Sequence, residues 1–375
     1  MADYTTSRTN ERFVFKRVRW QNFDTVDAET ETYTQFTGGS IAYGLYTTLK
    51  ATGSFDYVGE APDTTDLLRV YYQFTDANGT VSDMHALGTF LVGADSITNS
   101  PNGATLLKSG TVNGYSMLKV LQDRLCGLPV TIPAGTDPIA HAASICAGLG
   151  LRVNYPKGNA YTLAAPHTFE ADDSYLTVVN WLCTNNSPQY QAATVDGYGV
   201  VQLKEYEEPS EKQPTATFRD DAQSIMLPEV EEENDWQSAE NVARLYYESE
   251  TVAMWASAKA LSGSRASLAN RGGREITLYE QVDEIADLDA LKALAVSRVK
   301  DKSAEIERVT LTHAFTPIMT GDSVAVEYAN RSWQGTVQNM DIQLAPSAQT
   351  KTQLRKYISA ALDIETDGGK LWEVV

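Results

Sequence analysis

The chain has 375 residues, with 30 Lys+Arg against 49 Asp+Glu and a formal net charge of −19. Hydrophobic residues make up 42% and charged residues 21%, a composition that folds, and the length suggests two or three domains. The charge argues against duplex DNA or an anionic membrane surface as partner, because both need clustered Lys and Arg, and no run approaches the ~20 apolar residues of a bilayer span.

The first third reads as β. Phe13-Val14-Phe15 and Val18-Arg19-Trp20 are short strand-like runs, and Tyr43 to Leu49 alternates toward Gly53. Leu67 to Phe74 is rich in β-branched and aromatic residues and meets the turn Asp76-Ala77-Asn78-Gly79. The Asn-Gly pair favours positive φ, which predicts a tight hairpin returning through Gly88 to Val92. The pattern changes near Gly110. Leu118, Leu121 and Leu125 predict a helix ended by Gly127 and Pro129. Thr136-Asp137-Pro138 caps a second helix, with Ile139, Ala142, Ala143, Cys146 and Leu149 on one face and Gly148 and Gly150 as its stop. A third follows Asp172-Asp173-Ser174, with Leu176, Val179, Leu182 and Cys183 inward. Tyr198 to Leu203 then predicts a strand.

A polar stretch from Glu205 to Pro214 predicts a linker. Val242 to Tyr247 and Ile276 to Tyr279 are strand candidates, with a loop at Ser262 to Ser267 and Arg271-Gly272-Gly273-Arg274 between them. A fourth helix starts at the cap Asp287, with Leu288, Leu291, Ala295 and Val299 as its stripe. The end is β again. Val309, Leu311 and Phe315 alternate, as do Val324, Val326 and Tyr328 after the Gly321-Asp322 turn. Met340, Ile342 and Leu344 alternate but Val337 is out of phase, which predicts a β-bulge. Asp367-Gly368-Gly369 predicts a closing hairpin. The fold class expected is α+β, mainly β: two β-barrel domains, an α/β middle region and one helix embedded in the C-terminal half. The boundaries fall at 1–112, 113–214 and 215–375.

No constellation in the sequence carries chemistry. Cys126, Cys146 and Cys183 are too few and too odd for a disulfide framework and read as small core residues. His85, His141, His167 and His313 show no metal-ligand spacing. His141 reads as solvated, and His313 as a partly buried packing residue. Gly148-Leu149-Gly150 follows a helix, where a dinucleotide fingerprint needs a strand. Asp363-Ile364-Glu365-Thr366-Asp367-Gly368 begins like an EF-hand loop, but its twelfth position is Val374 rather than Glu. The acids Glu229, Glu231, Glu232, Glu233 and Asp235 read as a solvated face. No catalytic, cofactor-binding or metal-binding residue is nominated, and no cofactor is expected.

The stronger signal is a resemblance. Glu307 to Phe315, then Pro317, Gly321-Asp322-Ser323-Val324 and Trp333-Gln334-Gly335-Thr336-Val337-Gln338, resembles the C-terminal barrel of phage tail hub proteins. Leu45 to Tyr57 and Gly88 to Val92 are similar to the hub's first barrel. Ile132 to Pro138, Ile145 to Leu149 and Ser174 to Leu182 are similar to its α/β region. The resemblance covers most of the chain, and the order of the motifs carries it. It implies a non-enzymatic virion protein at the tail tip, made in the host cytoplasm. It also implies a homotrimer whose six barrels adapt a hexameric tail tube to trimeric distal parts. The implied partners are distal tail and tail-tube ring proteins, the tape-measure C-terminus, and tail fibre or spike proteins. Phage DNA would pass an acidic lumen without specific binding. The strands near Leu45–Asp56 and Val309–Gln338 are expected to serve core and ring contacts. Longer relatives continue into a hydrolase, fibre or receptor-binding segment, whereas this sequence stops at Val375, so a lytic role is not expected. Two other readings stand beside this one: a virion cell-wall hydrolase, and a carbohydrate-binding module using Trp20, Trp236, Trp255 or Trp333.

Overall fold

A computed structural model of the chain describes residues 8–373, apart from 63–64, 103–104, 159, 187, 208–210, 222–223, 235–237, 250, 283–284, 286, 304–306, 346–348 and 357–361. The first part is wholly β: β1 (Arg8–Val18), β2 (Glu29–Tyr33), β3 (Phe36–Gly44), β4 (Ala51–Val58), β5 (Leu67–Asp76), β6 (His85–Asn102) and β7 (Thr105–Ser116). The middle part alternates: α1 (Leu118–Asp123), β8 (Val130–Ile132), α2 (Pro138–Gly148), β9 (Val153–Asn154), β10 (His167–Phe169), α3 (Tyr175–Thr184), β11 (Thr194–Val195) and β12 (Val201–Gln202). The last part holds β13 (Ala216–Arg219), β14 (Met226–Asn234), β15 (Val242–Glu248), β16 (Val252–Ser262), β17 (Thr277–Val282) and α4 (Leu288–Ser303). It closes with β18 (Glu307–Ala314), β19 (Ser323–Tyr328), β20 (Arg331–Gln343), β21 (Gln349–Lys356) and β22 (Asp363–Glu373). The class is α+β and mainly β, as expected.

The two terminal β regions share one sheet. Its order is β14-β18-β21-β20-β3-β4-β7-β6-β5-β1-β2, with β19 and β13 branching from β20. The join is the antiparallel pair of β20 with β3, where Ile342 faces Ile41 and Asn339 faces Gly44. Among the described residues no ring of strands closes, so the expected barrels are seen as one continuous sheet. A single core follows from that join. Phe55, Tyr72 and Phe90 from the first region pack in one cluster with Phe218, Phe315, Val337 and Ile342 from the last. Period-2 alternation supplies these contacts, since every second side chain faces inward.

Local signals account for most elements. Asp76 Oδ1 accepts from the N–H groups of Asn78 and Thr80, and Gly79 sits at φ +82°, so the hairpin turn forms as predicted. Asp137 caps α2 through the Ile139 and Ala140 N–H groups, and Ser174 caps α3 through Thr177. The α2 and α3 faces, with Met117, Leu118 and Leu121, build a second core cluster. The register shift of β20 falls between Val337 and Asn339, at the predicted bulge.

Four expectations are corrected. Leu45 to Lys50 is a turn between β3 and β4, with Lys50 at φ +61°. The first helix ends at Asp123, and Leu125 lies exposed beyond it. The strand expected from Tyr198 to Leu203 shrinks to Val201–Gln202, because Asp196 folds the preceding residues into a turn by accepting from Tyr198 and Val200. No hairpin forms at Asp367-Gly368-Gly369; β22 runs straight through it and pairs with β16. Gly368 is needed there for packing, since a Cβ would lie 3.0 Å from Lys292 Cε of α4 and 2.7 Å from the Trp255 carbonyl oxygen.

The sheet β17-β15-β16-β22 carries α4 on one face. Ala256, Ala258 and Ala260 are fully buried there with Leu291, Ala295 and Val299. Small side chains let helix and sheet approach closely. A different glycine constraint holds the main sheet. Gly39 has φ +135°, and a Cβ there would meet the Ser54 carbonyl oxygen at 2.1 Å. Gly39→Ala is therefore expected to lower stability by about 1–3 kcal/mol through strain. A urea titration of the purified protein checks this; an unchanged midpoint would refute it.

Candidate interaction surfaces

A cleft of about 1020 Å³ opens between the middle α/β part, the turn joining β3 to β4, and the Met319–Ser323 segment that leads into β19. Lys50, Lys204 and Lys212 share it with Asp196, Glu205 and Asp322. Most of these groups are already engaged. Lys212 Nζ donates to the Gly321 carbonyl at 2.9 Å, and Lys50 Nζ donates to the Leu45 carbonyl at 2.5 Å. Asp196 accepts from its own turn and from Gln202 Nε2. Asp322 accepts from the Met319 N–H at 2.9 Å. Burial pushes the Asp322 carboxyl up, against the opposing pull of that N–H and of Lys204 and Lys212. The arrangement positions loops and balances charge within the cleft. Among the described residues no group of three or more His, Cys, Asp or Glu is placed to hold a metal ion.

Two buried arginines hold the β regions to their neighbours. Arg8 donates to Glu11 at 3.0 Å, to Tyr72 Oη at 2.7 Å and to the Phe315 carbonyl at 2.6 Å. It thus links the N-terminal strand to the C-terminal region. Arg69 is fully buried and pairs with Glu29 at 3.1 Å. It also donates to Thr89 Oγ1 and to the carbonyls of Phe23, Thr25 and Tyr198, and its guanidinium lies 4.8 Å from the Tyr198 ring centroid. Arg69 therefore ties β5 to the middle part. It was missed in the sequence, although a signal existed: an arginine inside the apolar run Leu67 to Phe74.

The other singled-out residues lie apart from one another. His313 is fully buried on β18; Nδ1–H donates to the Ala314 carbonyl and Nε2 accepts from Thr352 Oγ1. It is more enclosed than expected. His141 is half-buried rather than solvated. His167 stacks on Trp181 at 4.0 Å, and His85 lies 5.5 Å from the Phe315 ring. Cys146 and Cys183 are buried, and burial pushes both thiols up to about 12. Arg271 donates to the Ala239 carbonyl, and Gly272 and Gly273 adopt positive φ, as a loop requires. The acidic run Glu229 to Glu233 lies on β14, a terminal strand of the sheet, where Glu231 meets Lys351 and Glu233 meets Arg308. Trp20 is exposed, while Trp255 and Trp333 are half-buried. Asp235, Trp236 and Val374 fall outside the described residues. No helix among the described residues is long and apolar enough to cross a membrane.

The chain matches no protein-family model and no curated protein. Its architecture does match solved structures. The tail protein from Neisseria meningitidis MC58 superposes with a TM-score of 0.63 at 13% identity, over 92% of this chain and 96% of that one. The 43 kDa tail protein of prophage MuSo2 from Shewanella oneidensis gives 0.62 at 11% identity, over 92% and 98%. This chain has the fold of those tail proteins. Prophage tail protein gp18 from Listeria monocytogenes EGD-e gives 0.51 at 13% identity, over 92% and 94%. Coverage near complete on both sides means that the whole order of parts is shared, the middle α/β region included. The α+β, mainly β order of parts expected from the sequence is therefore shared with these tail proteins at an identity where sequence comparison finds nothing.

Proposed function

We propose that the chain is a structural component of a phage tail, and specifically the hub at the tail tip. The observation that carries this is the shared fold, end to end, with tail proteins. In this reading the protein works as a homotrimer. Its parts, with boundaries near residues 112 and 214, form a ring that adapts a hexameric tube to trimeric distal components. A cluster drawn largely from residues 117–203 supports the middle unit. Tube-ring proteins, the tape-measure C-terminus and fibre or spike proteins are its neighbours in the virion. Assembly follows synthesis in the host cytoplasm. The net charge of −19 supports smooth DNA passage, since an acidic wall repels phosphate. The work in this reading is scaffolding and not catalysis: the buried arginines and the cleft's lysine-to-carbonyl hydrogen bonds hold loops and sheets in place.

Electron microscopy of tails, or of the co-expressed tail tip, tests this. A three-fold ring of this protein at the end of a six-fold tube is expected. Single copies projecting off the axis would overturn the proposal and favour a receptor-binding or hydrolytic appendage.

A further inference from the structure

The sheet β17-β15-β16-β22 has two faces, and α4 covers one of them. Ala243, Leu245, Ala256 and Ala258 alternate toward the helix, so the residues between them face away from it. The register draws a line of rings across that second face. Trp255 lies opposite Tyr246. Trp372 lies opposite Ala253, one step along β16 from Trp255. Tyr279 lies beside Arg244, one step along β15 from Tyr246 in the other direction. The diagonal thus runs from Trp372 through Trp255 and Tyr246 to Tyr279, with one ring on each strand. Three strand spacings of ~4.8 Å and two steps of ~6.7 Å make it roughly 20 Å long.

The line is open to solvent. Tyr279 is 68% exposed and Trp372 40%. Trp255 is half-buried, but its neighbours are small: Ala253 and Ser257 on its own strand and Gly369 across from it. A Cβ at Gly369 would come within 3.6 Å of the indole Nε1, so the missing side chain keeps that edge of the ring clear. The Ser257 hydroxyl is buried and has no hydrogen-bond partner among the described residues. An unpaired buried hydroxyl costs stability, and a polar ligand at this spot offsets that cost.

Chemistry selects the occupant. Arg244 and Lys259 on this face are both held by Glu275, at 3.1 and 2.7 Å. Glu248 accepts from the Tyr246 hydroxyl at 2.8 Å, and Asp367 accepts from the Gly368 N–H at 2.8 Å. Charge of either sign beside the rings is already engaged, which selects against a polyanion and against a basic segment. A line one ring wide, with small or polar residues on both sides, fits an extended chain and not a broad partner surface. Each ring pairs an apolar face with a polar N–H or O–H at its rim. An uncharged chain of sugars offers the matching pair, a C–H face to stack and hydroxyls at the edge. We propose that this face binds a neutral, unbranched polysaccharide, its sugar rings stacked along the diagonal with Trp255 near the centre. The site is additional to the scaffold role above and does not depend on the trimer.

The test is affinity electrophoresis of the full chain in native gels cast with soluble starch, mixed-linkage β-glucan or galactomannan. Labelled oligo-dT serves as the polyanion control. Retardation by at least one of the three polysaccharides is expected, with no binding of the oligonucleotide. Trp255→Ala is expected to weaken that retardation at least about tenfold. Gly369→Val should do the same by filling the space beside the ring. Gly369 lies outside the positive-φ region and a Cβ there meets nothing nearer than 3.6 Å, so an unchanged thermal melt is expected and shows that this variant is folded. No retardation in any of the three gels would overturn the proposal, as would retardation that both variants keep. Unretarded wild type whose self-association in sedimentation is lost in the variants would also overturn it, and would make the face a contact between copies.

Discussion

Replacing Arg69 by alanine is expected to cost about 3–5 kcal/mol of folding stability, the range for breaking a buried ion pair from one side. The side chain is fully buried, and Glu29 beside it is only 8% exposed. Removal leaves the Glu29 carboxylate with the Tyr71 hydroxyl but without its cation. It also removes the donor from Thr89 Oγ1 and from the carbonyls of Phe23, Thr25 and Tyr198. Each acceptor left buried without a partner adds to the loss. The loss should be felt where β5 meets the middle part, because Tyr198 lies in the Asp196–Gly199 turn and Thr89 donates to Gly197. Arg69→Met combined with Glu29→Gln should recover much of the stability, since the pair is then removed together. Urea titrations of the wild type and these two variants decide it. A single Arg69→Ala variant within about 1 kcal/mol of wild type would show that the pair is not a structural tie.

Acidification from pH 6.5 to about 4 is expected to destabilise the protein through His313 by about 3 kcal/mol. Burial holds its imidazole at about 4, against the ordinary value near 6.5, with Arg8 pushing the same way and the Ala314 carbonyl opposing. The neutral form is the one the structure uses, with one nitrogen donating and the other accepting. The folded value is depressed, so the unfolded chain takes up a proton first as pH falls. The contribution is fully present above 6.5, declines between 6.5 and about 4, and is gone below. Acids elsewhere also titrate in this window, so the measurement is a difference. His313→Gln should flatten the fall in urea midpoint between pH 7 and pH 4.5 relative to wild type. Parallel curves for the two proteins would rule His313 out as the cause.

The elements readable in the sequence were those with a local cause. Asp137 and Ser174 cap their helices, Asp76 and Gly79 turn their hairpin, and the phase slip at Val337 locates a bulge. Each depends on residues within a few positions. The strand β16 was not read at all. Its segment Val252 to Ala260 is rich in alanine, which has weak β-propensity, and the alanines make sense only under α4. The glycines of β22 read as a turn for the same reason, because the helix that requires Gly368 is far away in the chain.

By itself the sequence determined the α+β class, the caps, the order of parts and the absence of clustered basic charge. Those follow from short-range sterics, periodicity and composition. Only the tertiary structure decided that β20 pairs with β3, so that the two terminal β regions share one sheet and one core. It alone showed that Arg69 is buried and paired and that His313 is sealed in. The physical reason is distance along the chain: these contacts join residues tens to hundreds of positions apart, and pairing at that range leaves no periodic trace in either segment.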